Sequence, residues 1–119
     1  MSNINQSLDH AMQLEGAMAV ALVDSESGMM LGQQGGGLDL DLAAAGNTDV
    51  VRAKLKTIRS LQLDDTIEDM LITLGRQYHI IRPLAQHEGV FLYLVLDKNH
   101  ANLALARRKV QEVEGQLEL

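Results

Sequence analysis

The chain of 119 residues sets 16 acids against 10 lysines and arginines, a formal net charge of −6 at pH 7, and contains no cysteine. Without thiols there are no disulfides, zinc–thiolate or iron–sulfur sites and no thiol nucleophile, and the acidic balance makes nucleic acid a poor partner. An apolar content of 46% in a chain this long supports one buried core, hence a single domain over residues 1–119.

Met1 to Leu14 is polar and acidic, unlike the basic and then apolar start of a signal peptide. Runs such as Val90 to Leu96 fall well short of the roughly 18 apolar residues that suggest a membrane span. The expected location is the cytoplasm. Ile4, Leu8, Ala11 and Met12 recur at helical spacing ahead of Gly16, which predicts a short amphipathic helix. Ala17 to Asp24 is an apolar strand, Asp24-Ser25-Glu26-Ser27-Gly28 has the composition of a turn, and Met29-Met30-Leu31 resumes the hairpin. Gly35-Gly36-Gly37 breaks the chain before the longest predicted helix, Leu38 to Ser60, with Asp39 and Asp41 near its positive end. Ile67 to Leu74, Tyr78 to Leu84 and Val90 to Asp97 read as strands with gaps that suit hairpins, and Pro83 falls at a strand end. The last helix is expected from Asn99 to about Leu117, with Leu103, Ala106, Val110, Val113 and Leu117 on one face and Asp97 or Asn99 as its cap.

The order is αββαβββα. Ala17 to Val23 and Val90 to Leu96 are apolar on both sides, so these strands belong in the middle of the sheet with helices on each face. The fold class is a three-layer α/β/α domain around a five-stranded antiparallel sheet. On the long helix Ala44, Val51, Leu55 and Ile58 make one apolar stripe. Beside it Ala43, Gly46, Val50 and Ala53 make a second, of small residues that permit close approach. One stripe suits the sheet; the other suits a second copy of the chain.

The chemical motifs mostly fail their tests. Asp24 to Gly28 starts like a calcium loop, but the sixth and twelfth positions hold Met29 and Gly35 instead of glycine and glutamate. The glycines from Gly32 to Gly37 lack the Gly-Lys-Ser/Thr of a phosphate loop, and Asp39 and Asp41 occupy the place of a phosphate. His10, His79, His87 and His100 share no metal-ligand spacing, and structural or surface roles are expected. Asp64-Asp65 and Glu68-Asp69 read as solvated charges on an edge strand. No catalytic residue, metal site or cofactor is therefore expected, nor is an enzyme. Arg52, Lys56 and Arg59, at i, i+4 and i+7, form a basic ridge on an acidic protein, either a solvated face or a docking surface for an acidic partner. Arg107-Arg108-Lys109 is a second cluster, in keeping with the preference of helix C-terminal halves for cations.

A set of core patterns carries a resemblance. Gly16-Ala17 opens a strand ending in Leu22-Val23-Asp24, Gly28 stands in the turn, and Glu68-Asp69 opens the third strand. Together with Phe91 to Asp97 and Asn102 to Arg107, these resemble bacterial members of the roadblock (dynein light chain) family over nearly the whole chain. The resemblance implies a profilin-like domain that forms a homodimer, its long helices paired and its third strands meeting at the sheet edges. It also implies a non-catalytic scaffold or regulator of a separate small Ras-like GTPase, as in bacterial polarity and gliding-motility systems. No family catalytic residue carries over, because activating members remodel their partner's own site. A sensory or small-ligand-binding module of the same architecture is the alternative, and few polar residues are expected to point into the core.

Overall fold

A computed structural model describes residues 2–119. The elements follow the expected order: α1 (Ile4–Ala11), β1 (Ala17–Asp24), β2 (Met29–Gly35), α2 (Leu40–Ser60), β3 (Met70–Thr73), β4 (Gln77–Pro83), β5 (Val90–Asp97) and α3 (Leu103–Gln116). The strands form one antiparallel sheet in the order β2-β1-β5-β4-β3. β5, with its six interior residues buried, is the middle strand, and β1 lies beside it. A run that is apolar at every position can be buried only where both faces are covered.

Alternate residues of these strands supply two cores. Val20, Leu22, Leu92, Leu94 and Leu96 meet Leu8 of α1 and Ala106, Val110 and Val113 of α3 on one face. Ala19, Ala21, Val23, Phe91, Tyr93 and Val95 meet Leu40, Ala44 and Val51 of α2 on the other. α2 crosses β1 and β2, and small Ala19 and Ala21 let it lie close. On the opposite face α1 comes down on β2 at Gly32, where a Cβ would stand 2.6 Å from Ile4 Cγ2. Leu31 bulges out of the same strand, since Leu22 pairs with Gly32 and Val23 with Met30.

Three boundaries differ from expectation by two residues or more. α2 starts at Leu40, not Leu38, because Asp39 is its cap and accepts from the Leu42 N–H at 3.1 Å. α3 starts at Leu103, capped by Asn102, whose side chain accepts from the Leu105 N–H at 3.1 Å. Neither Asp97 nor Asn99 caps it, because the Asp97 carbonyl takes the N–H groups of His100 and Ala101 and folds that stretch into a turn. Gly16 makes room for this turn: at φ +85, a Cβ on it would lie 2.9 Å from the Ala101 nitrogen. β3 spans only Met70–Thr73, the preceding residues having left the sheet.

The two ends of the described chain are bonded to each other. Asn3 donates from Nδ2 to the Gln116 carbonyl at 2.6 Å, and its Oδ1 accepts from the Glu118 N–H at 2.8 Å. His10 on α1 bonds Gln116 Oε1 through Nδ1 at 2.9 Å and meets Lys109 Nζ through Nε2 at 3.1 Å. No helix among the described residues is long and apolar enough to cross a membrane.

Candidate functional site

α2 buries Leu40, Ala44, Thr48 and Val51 against the sheet, and Leu55 and Ile58 are half-buried below them. Thr48 turns its hydroxyl back onto the Ala44 carbonyl at 2.8 Å, which lets a polar residue sit in this stripe. The outward side is unusually apolar for a helix in an acidic chain. Leu42 is 70% exposed and Val50 41%, and Gly46 and Ala53 lie open with them. Ala43 belongs between the two stripes, half-buried against the second core. Leu71 and Leu74, in and after the β3 edge strand, are also partly exposed.

Arg52, Lys56 and Arg59 are all exposed along α2, and none forms an ion pair among the described residues. The other basic cluster is partly spoken for. Arg107 grips Asp69 with two bonds of 3.0 Å each, and Lys109 lies 3.5 Å from Glu112. Asp69 is thus no solvated charge. Its side chain is only 11% exposed, because α3 presents an arginine to it.

Beneath α2 the second core contains a polar chain that the sequence pattern does not announce. Tyr93 on β5 donates its hydroxyl to His79 Nδ1 on β4 at 3.0 Å, and His79 Nε2 donates to Gln77 Oε1 at 2.8 Å. This arrangement requires a neutral imidazole, and burial holds the His79 pKa below its ordinary value. Burial likewise pushes the Tyr93 hydroxyl up, while Asn47 from α2, bonded to the same oxygen, draws it partly back. The two rings meet edge to face with centroids 5.4 Å apart. His79 is therefore a structural histidine, tied into the packing of α2 on the sheet. His100 bonds Asp97 at 2.7 Å and, with the Asn99 N–H, holds that carboxyl below its usual range. Among the described residues no three histidines or acids gather as a metal site.

No protein-family model and no curated protein matches the sequence. Solved structures do match it. Myxococcus xanthus MglB superposes with a TM-score of 0.83 at 17% identity, over 95% of this chain and 89% of that one. A Roadblock/LC7 domain from Streptomyces avermitilis gives 0.79 at 11% identity, over 93% and 91%. The fold is the roadblock fold. A third neighbour, the gliding protein MglB from Thermus thermophilus, gives a TM-score of 0.70 at 17% identity over 94% and 88%.

Within this roadblock fold the small-residue stripe and the basic ridge read from the sequence fall on one element. Gly46, Val50 and Ala53 are open, Ala43 leans inward, and Arg52, Lys56 and Arg59 stand along the C-terminal half of the same helix. Leu42 was missed. It stands four residues before Gly46, on the same outward side, but a stripe defined by small residues passes over a leucine.

Proposed function

We propose that this single roadblock domain is a non-catalytic cytoplasmic homodimer that regulates a separate small Ras-like GTPase through protein–protein contacts. The observation that carries the reading is the outer side of α2, where Leu42, Gly46, Val50 and Ala53 face solvent on the longest helix of the protein. Exposed apolar surface of this kind marks an interface, and Gly46 and Ala53 would let a second α2 approach closely. The ridge of Arg52, Lys56 and Arg59 adds unpaired positive charge that suits an acidic partner surface. The likeness to MglB supports the regulator reading because the sequence resembles bacterial roadblock proteins that act on such GTPases.

Light scattering coupled to gel filtration tests the dimer, which is expected at low micromolar concentration. Ala53→Glu should shift the mass towards a monomer by placing a charge in the interface. A wild-type monomer would refute the reading. For the partner, association with the Ras-like GTPase of the same organism should be salt-sensitive. It should slow at least about tenfold in Arg52→Glu with Lys56→Glu, and equal association would move docking away from the ridge.

A further inference from the structure

Ile67 to Leu74 has the composition of a strand, yet its pairing with β4 begins only at Met70, opposite Ile81. Continuing the ladder would set Asp69 against Arg82 and Glu68 against Pro83. Proline has no N–H to donate, and α3 draws off both charged side chains, Arg82 to Glu114 and Asp69 to Arg107. Residues 64–68 therefore leave the sheet. Between them and the end of β4 runs an open groove of about 650 Å³, floored by Leu55, Ile58, Ile67, Leu84, Val90 and Phe91.

Two properties describe what this groove would hold. Among the described residues, no backbone N–H or C=O of residues 64–68 bonds to another backbone group, and the Thr66 N–H is taken only by the Asp65 side chain. Backbone left unpaired beside a strand end is what an added strand recognises. The rim is also negative. Asp65, Glu68 and Glu88 line it against Arg59, while Arg82 is neutralised by Glu114. Leu63, 53% exposed, precedes this segment and donates its N–H to the carbonyl of Ile58, a residue of the groove floor, at 3.2 Å. We propose that this groove docks an extended apolar segment of a partner protein that carries lysine or arginine. The site goes beyond the dimer and the GTPase contact and does not depend on either.

Fluorescence anisotropy of the full chain tests it with a labelled peptide of about ten residues that alternates lysine with leucine and valine. Saturable binding is expected, weakened at least about tenfold by Glu68→Lys with Glu88→Lys and by Ile67→Asp, and unchanged by Arg52→Glu with Lys56→Glu. A peptide with glutamate in place of lysine should bind at least about tenfold more weakly. If Ile67→Asp loses its circular dichroism signal, the charge reversal decides alone. Equal binding of the two peptides, or full binding by the groove variants, would overturn the proposal. So would a peptide-silent wild type whose mass by light scattering falls on Ile67→Asp, since the occupant would then be a second copy.

Discussion

Replacing Tyr93 by phenylalanine removes one oxygen from the second core and little else. The ring, its edge-to-face contact with His79 and its place under α2 all remain. What disappears is the hydroxyl that donates to His79 Nδ1 over 3.0 Å and meets Asn47. A hydrogen bond contributes a net 0.5–1.5 kcal/mol, roughly, and a buried group left without a partner costs about 1–3 kcal/mol. Because His79 is only half-buried, water can replace part of the loss, so about 1–2 kcal/mol is expected, or a Tm lower by roughly 4–8 °C. Urea unfolding at about pH 7.5, followed by circular dichroism at one fixed protein concentration, measures it. The effect should depend on pH. With the folded His79 pKa held below its ordinary value of 6.5, the unfolded chain binds more protons in that window. Stability is present above 6.5 and lost as pH falls through the lower folded value. Once His79 is protonated its Nδ1 no longer accepts from Tyr93, so the gap between wild type and variant should narrow in acid. A loss under about 0.3 kcal/mol at neutral pH, or a gap indifferent to pH, would refute the reasoning.

Gly35→Ala should cost about 2–4 kcal/mol, because Gly35 has φ +81 and a Cβ there would strike the Met18 carbonyl oxygen; a melting temperature equal to wild type would count against the packing described. Asn102→Ala should cost about 1 kcal/mol through loss of the α3 cap, whereas Asn99→Ala should be near neutral; thermal melts of the pair decide between the two as cap. Arg107→Ala, which leaves the largely covered Asp69 carboxylate unpaired, should cost about 1–2 kcal/mol, while Arg108→Ala should stay within about 0.5 kcal/mol; chemical denaturation should separate them.

The fold was legible because its strongest signals are periodic. Val90 to Leu96 could be buried on both sides only in the middle of a covered sheet, and Ala106, Val110 and Val113 could share only one helical face. The boundaries were less legible, since they depend on partners far away in the chain. Asn102 caps α3 because Gly16 and Asp97 first fold the preceding residues into a turn, and β3 is short because Pro83, Glu114 and Arg107 act on its approach. The α2 surface was read from spacing alone. The groove was not, because its acidic rim comes from two loops whose meeting is a property of the fold. The polar chain is invisible in the sequence for the same reason: Asn47, Tyr93 and His79 come from three elements, and no local pattern links them.

The bonds that join Asn3 to Gln116 and Glu118 make the chain nearly a closed ring. A short glycine-serine bridge from residue 118 to residue 3 would complete the circle without crossing either core, and new ends could then be opened at the Gly75-Arg76 or Gln86-His87 turns. Asn3 and Glu118 also lie beside α1 and α3, on the side of the sheet opposite α2. A tag, a surface anchor or a fused reporter joined beside residue 3 or residue 118 therefore starts on the face away from the α2 surface, leaving it free to meet a partner from solution.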